Sequence, residues 1–124
     1  MSSIVTVVVA DDDSDIRSLM VIAATKAGYT VVAAASDGDE AWSAVATLAP
    51  QLVVLDVSMP GMTGIDVTER IRAENSLAHV RVVLVSAAAG AESTAAGLRA
   101  GADLYLTKPF SPRELAQKLV GVMA

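Results

Sequence analysis

Short apolar runs alternate along this chain with stretches in which apolar residues recur every three or four positions. Ile4 to Ala10 (IVTVVVA) is nearly all β-branched or apolar without clean alternation, as in a strand covered on both faces. Past Asp13 the period changes. Ile16, Leu19, Met20, Ala23 and Ala27 fall on one side of a helix that Gly28 ends. Thr30 to Ala35 reads as a second strand, Asp37 as a helix N-cap, and Ala41, Val45 and Leu48 as one helical stripe stopped by Pro50. Leu52 to Leu55 is a third buried strand, followed by a turn through Pro60 and Gly61. A helix from about Gly64 to Ala73 then carries Ile65, Thr68 and Ile71 in register, and Val80 to Val85 is a fourth strand. The stretch AAAGAESTAAGLRAG predicts a fourth helix, interrupted by Gly97 and so poor in large side chains that it is expected to be the least firmly packed. Asp103 to Leu106 is a short fifth strand. SPRE opens the last helix, with Ser111 as N-cap, Pro112 at the first helical position and Glu114 closing a capping box; Leu115, Leu119 and Val122 line its inner face.

Repeated strand–helix alternation predicts an α/β protein, a doubly wound three-layer sandwich whose parallel sheet has helices on both faces. The 124 residues suit one domain, 1–124. The sequence stops within the fifth helix pattern, so whatever the domain acts on is expected to be another molecule or a part of the chain outside this sequence.

Composition narrows the chemistry. A net charge of -5, with no basic patch or aromatic platform, argues against direct nucleic-acid binding and leaves protein partners and metal cations open. The absence of Cys removes disulfides, thiol nucleophiles and Cys-ligated zinc, and fits a reducing compartment. The uncharged run from Ala41 to Leu55 is too short to span a bilayer and is divided by Pro50. The start, MSSIVTVVVADDD, lacks the basic region of a secretory signal. The expected location is cytoplasmic.

In a doubly wound sheet, ligands bind beyond the carboxyl ends of the strands. Asp11, Asp12 and Asp13 follow the first strand, Asp56 the third, Ser86 the fourth and Lys108 the fifth, so the unusual polar residues are all delivered to one edge. Asp13 is assigned to the helix start, where negative charge is favoured. Asp11, Asp12 and Asp56 brought together would repel unless a cation intervened, and an all-oxygen set with no His or Cys suits Mg²⁺, with Mn²⁺ the alternative. Asp12 would bind the ion directly, Asp11 through water, and the backbone carbonyl of Ser58 would add a protein oxygen. Lys108 would pair with Asp56 in the empty site or hold a phosphoryl oxygen. Asp56, followed by a tight turn, is the candidate nucleophile for an aspartyl-phosphate, with Ser86 Oγ donating to one phosphoryl oxygen and Lys108 neutralising another.

VVVADDDSDIR, LVVLDVSMPGMTG, VVLVSAAA and GADLYLTKPF, in this order and at these strand ends, resemble the receiver domain of two-component response regulators across almost the whole chain. The resemblance implies a flavodoxin-like, five-stranded parallel sheet in order 2-1-3-4-5 with five flanking helices. It also implies a histidine kinase or histidine phosphotransfer protein as phosphoryl donor. By position, Asp56 resembles the phosphoacceptor, Asp11 and Asp12 the acidic pair at the metal, Ser86 the switching hydroxyl and Tyr105 the switch aromatic. Lys108 matches the family's lysine, whose following proline, here Pro109, is often cis; Gly64 matches the glycine that closes the loop after the acceptor strand. Thr63 stands where an Asp is common, and Ser14 replaces a frequent Pro.

The implied activity is a phosphorylation-dependent switch. A phosphoryl group adds up to about two negative charges; Ser86 and Lys108 would be drawn to it, Tyr105 would turn inward, and the surface of helix four, strand five and helix five would change. A downstream effector, or a second copy in a phosphorylation-dependent homodimer, would read that surface. Self-dephosphorylation is implied as well, with Ser58 and Ala88 flanking the water's route and small enough to leave it open. Two rivals stand beside this reading: a constitutive receiver-like interaction module, and an aspartyl-phosphate phosphohydrolase, which would want an acid where Ser58 stands. A dinucleotide-binding half-domain is disfavoured, because no GxGxxG follows the first strand. His79 is read as a loop residue, Trp42 as cover for the core or an outer helical face, Met59 and Met62 as loop packing, and Arg70, Arg72 and Glu74 as a solvated face.

Overall fold

The computed structural model describes residues 4–124. Its elements are β1 (Thr6–Ala10), α1 (Ser14–Lys26), β2 (Thr30–Ala35), α2 (Gly38–Leu48), β3 (Leu52–Asp56), α3 (Gly64–Ala73), a short 3-10 turn (Asn75–Leu77), β4 (Arg81–Ser86), α4 (Ala91–Ala100), β5 (Leu104–Thr107) and α5 (Pro112–Met123). All neighbouring strands pair in parallel, in the order β2-β1-β3-β4-β5 expected from the resemblance.

Alternation within each strand divides the interior into two cores. Val8, Val53, Leu55 and Leu84 face one side and meet Ala41 and Val45 of α2 and Val67 and Ile71 of α3. Val7, Val9, Val54 and Val83 face the other and meet Met20 and Ala23 of α1 and Leu115 and Leu119 of α5. Since β1, β3 and β4 are covered on both faces, their sequences read as continuous apolar runs rather than alternating ones.

The helix starts are built by their own side chains. Asp13 accepts from the amides of Asp15 and Ile16, and Asp37 from that of Glu40. Ser111 and Glu114 form the capping box expected at α5, while Thr63 and Asp66 form one that the sequence reading did not anticipate at α3. Thr63 therefore does helix-start work.

Several expected details differ. β1 starts at Thr6, where pairing with Thr30 begins, and Ile4 is 69% exposed. Leu48 does not complete the buried stripe of α2. Opposite it lies alanine-rich β2, and Leu48 borders a groove of about 310 Å³ that those small side chains leave open. α4 runs unbroken through Gly97, the one buried residue of that helix. A Cβ there would come within 2.7 Å of the Tyr105 ring and 3.1 Å of Leu84, so Gly97 permits a close approach rather than a break. On α3, Val67 is buried together with Thr68 and Ile71, while Ile65 is half-buried. Val122 too is only half-buried on α5.

The α3 charges are not simply a solvated face. Arg72 donates through Nε to the Gly101 carbonyl at 2.8 Å and through Nη2 to Asp103 at 3.0 Å. Asp103 in turn accepts from the Val82 amide at 2.8 Å, so its side chain ties α3 to β4 instead of extending β5. Arg70 lies over the ring of Trp42, 5.2 Å from its centroid, and Trp42 packs partly buried on the first core. His79 is an exposed loop residue near the Ala49 carbonyl. Met59 is buried and Met62 half-buried, both packed against the first core.

Candidate functional site

Four strand ends meet at one edge of the sheet. Parallel register sets Ala10 beside Leu55, Asp56 beside Val85, and Ser86 beside Thr107, so the residues that continue each strand emerge close together. An open cavity of about 870 Å³ is lined there by Asp11, Asp12, Asp56, Ser58, Ser86 and Lys108 among others. Tyr105 does not line it. Its hydroxyl donates to the Ala88 carbonyl at 2.8 Å, while the Ala88 amide donates to Ser86 Oγ at 3.0 Å. The hydroxyl of Ser86 and the phenol of Tyr105 are thus joined through a single residue of the β4–α4 loop.

The acidic residues differ in their surroundings. Asp11 is fully buried and Asp56 is 3% exposed, while Asp12 faces solvent. Asp11 Oδ1 accepts from the Asp13 amide at 2.9 Å, and Arg17, one turn into α1, braces the same loop by donating to the Asp11 carbonyl at 2.9 Å. That bracing escaped the sequence reading; its only signal was a basic residue one turn after the N-cap, where the side chain can reach back. Lys108 Nζ sits 3.0 Å from Asp11 Oδ2 and 3.1 Å from Asp56 Oδ1. Its backbone amide donates to the Ser86 carbonyl at 2.8 Å, and the bond to Pro109 is cis.

The charges are coupled. Burial pushes the Asp56 carboxyl above its ordinary value; the hydrogen bond and charge of Lys108 oppose this, while the charges of Asp11 and Asp12 add to it. Burial works against the Lys108 ammonium, but its pairing with the carboxylates of Asp11 and Asp56 outweighs it and raises its pKa. One oxygen from each of Asp11, Asp12 and Asp56 lies within 4.8 Å of the others. The buried Asp11 Oδ2 meets Lys108 as an ionic contact but has no directed hydrogen-bond donor. A divalent cation coordinated by oxygen fits this set: hard anionic donors, one of them short of a partner, with open space on the solvent side.

The doubly wound sheet and the acid, hydroxyl and lysine gathered at its carboxyl edge define the class: an α/β domain with a candidate ligand site where the strand order reverses. The chain belongs to the response regulator receiver domain family of two-component systems, whose family model matches residues 7–120. It is 32% identical over 118 residues to the phosphate regulon transcriptional regulatory protein PhoB of Pseudomonas aeruginosa, covering 95% of this chain and 51% of that one. It is 37% identical over 113 residues to the DNA-binding response regulator MtrA of Mycolicibacterium paratuberculosis, covering 91% of this chain and 48% of that one. The chain therefore spans about half the length of these relatives. Among solved structures, the chemotaxis response regulator CheY4 of Vibrio cholerae matches with a TM-score of 0.88 at 29% identity, covering 97% of this chain and 99% of that one. Among the described residues, no helix is long and apolar enough to cross a membrane.

Proposed function

We propose that the domain is a phosphorylation-dependent switch that accepts a phosphoryl group on Asp56 with Mg²⁺ bound at the acidic cluster. The observation that carries the reading is Lys108 Nζ held between the carboxylates of Asp11 and Asp56, at 3.0 and 3.1 Å, on the wall of a cavity that Ser86 also lines. An ammonium in that position offsets the acidic charge and is placed to take up a phosphoryl oxygen once Asp56 is phosphorylated.

Asp11, Asp12 and Asp56 would hold the ion, with the Ser58 carbonyl as a further oxygen. When bound, Mg²⁺ supplies charge neutralisation across the acceptor and the incoming phosphoryl group. An Asp56 carboxylate oxygen attacks phosphorus of a phosphohistidine, the P–N bond breaks, the departing imidazole nitrogen takes up a proton, and an acyl phosphate remains. Lys108 and the Ser86 hydroxyl stabilise the transferred oxygens. In self-dephosphorylation, water attacks phosphorus and the P–O bond to Asp56 breaks, returning the carboxylate and inorganic phosphate. Drawing Ser86 toward the phosphoryl group disturbs the Ser86–Ala88–Tyr105 chain of hydrogen bonds and releases Tyr105 to move, changing the face of α4, β5 and α5. The donor is a histidine kinase or histidine phosphotransfer protein. The reader of that face is a downstream effector, a fused output domain or a second copy of the chain; the relative MtrA is named as DNA-binding.

Incubation with Mg²⁺ and acetyl phosphate, followed by intact mass measurement, tests the chemistry. One added phosphate is expected, absent in Asp56→Asn and without Mg²⁺. No adduct on the wild type, or an adduct that survives Asp56→Asn, overturns the assignment.

A further inference from the structure

The loop that carries Ser58 is gripped from outside by a segment that supplies no chemical group, the N-terminus of α2. Gly38, the first residue of that helix, is buried, and its amide donates to the Pro60 carbonyl at 3.1 Å. A Cβ on Gly38 would overlap the Met62 carbonyl and come within 2.7 Å of Met62 Cβ, so the approach is open only to glycine. The contact is reciprocal. Gly61, at φ 75°, faces Asp39, and a Cβ there would lie 2.5 Å from Asp39 Oδ2.

The loop's other end is fixed as well. The Gly64 amide donates to the Val57 carbonyl at 2.9 Å, and Gly64 lies against the carbonyl of Asp56. Between these anchors stand Ser58, Met59 and Pro60, all on the wall of the acidic cavity. The distance between α2 and the Pro60–Met62 turn therefore decides where the Ser58 peptide stands relative to the three carboxylates.

We propose that Gly38 is a positioning residue for the divalent ion: its missing side chain lets α2 close on the Pro60–Met62 turn, which sets the Ser58 carbonyl and hence the affinity for Mg²⁺. This rests on the reading of the acidic cluster as a Mg²⁺ site. Outer supports of this kind typically change metal affinity by about 10–100-fold when altered.

The test is calorimetric titration of the phosphate-free protein with Mg²⁺, with the native fold checked by circular dichroism. Gly38→Ala is expected to bind about tenfold more weakly. In acetyl phosphate labelling its half-saturating Mg²⁺ should rise while the rate at saturation holds, a split that general loss of structure would not produce. Gly121→Ala, at a helical glycine with open space around it, should leave both unchanged. If Gly38→Ala does not fold, Asp39→Ala and Asp39→Asn take its place, titrated at about 0.5 M salt so that long-range charge effects are screened. Asp39→Ala should then weaken binding about threefold, while Asp39→Asn, which keeps the side chain over Gly61, stays within about twofold. A folded Gly38→Ala protein within twofold of wild type, a saturated rate that falls with half-saturation unchanged, or equal affinity in both Asp39 variants overturns the proposal. Wild type that fails to bind Mg²⁺ overturns the site itself; wild type that binds, with Gly38→Ala binding equally, overturns only the role of Gly38.

Discussion

Asp56→Asn is expected to stabilise the domain at neutral pH without divalent ions, because the native fold confines a carboxylate where burial and like charge disfavour it. With an effective dielectric of about 20, the contact with Lys108 at 3.1 Å is worth about 5 kcal/mol, and Asp11, within the 4.8 Å spread of the cluster, costs about 3.5 kcal/mol. Asp12 faces solvent and is screened, which holds its share below about 1 kcal/mol. These pair interactions leave at most about 1.5 kcal/mol of net attraction, so the sign falls to desolvation of a side chain 4% exposed, which costs several kcal/mol for a carboxylate. The raised pKa of Asp56, with burial as its largest cause, points the same way. Asn keeps the shape and removes the charge, at some loss to Lys108, which retains Asp11. The expected net gain is about 1–2 kcal/mol, a rise of about 4–8 °C in Tm for a domain of this size.

The pH dependence fixes the sign. A folded-state pKa above the unfolded one means the native protein binds the proton more tightly, so wild type loses stability as pH rises from the ordinary carboxylate value through the folded value. Thermal melts in EDTA should show the variant and wild type alike below the ordinary value, separating as pH rises and holding a constant gap above the folded value. Saturating Mg²⁺ should narrow the gap by stabilising wild type preferentially. A variant no more stable than wild type at pH 7 in EDTA, or a gap that grows on acidification, would refute the reasoning.

Lys108→Met should cost about 2 kcal/mol or more in urea melts at pH 7 without Mg²⁺, since two buried carboxylates lose their counter-charge. Because the lysine's pKa is raised, wild type should keep this advantage at neutral pH and lose it only as pH climbs through that raised value; equal midpoints at pH 7 would contradict the ion pair's role. Gly97→Ala drives a Cβ to 2.7 Å from the Tyr105 ring and should cost about 1–3 kcal/mol, most of it relieved when combined with Tyr105→Ala; strictly additive losses would rule out that contact. Arg72→Met removes the links to Gly101 and Asp103 and should lower stability by about 1–2 kcal/mol, whereas an unshifted urea midpoint would return Arg72 to the role of a surface charge. Bulky side chains at both Ser58 and Ala88 should lengthen the acyl-phosphate lifetime several-fold by obstructing water, and an unchanged decay rate would remove that route.

The sheet and its order of elements were legible because period and punctuation are local properties. The apolar, β-branched runs of β1, β3 and β4 read as buried strands, and Asp13, Asp37 and Ser111 cap helices with their own side chains. The acidic, hydroxyl and lysine positions were legible for a related reason: parallel pairing carries whatever follows each strand to the same edge, so position in the chain implies position in space. What stayed hidden depends on which surfaces meet. A glycine in a helix pattern signals a break, yet Gly97 serves a contact with Tyr105 that exists only after packing, as does the contact of Gly38 with Met62 at the start of α2. Arg72 and Arg17 look like solvated charges until a carbonyl from a distant turn, or from the preceding loop, comes within their reach. Leu48 fits its helix's stripe but finds only alanines opposite. Local free energies are written residue by residue, whereas steric fit and long-range hydrogen bonds belong to pairs, and the chain does not state its pairs until it folds.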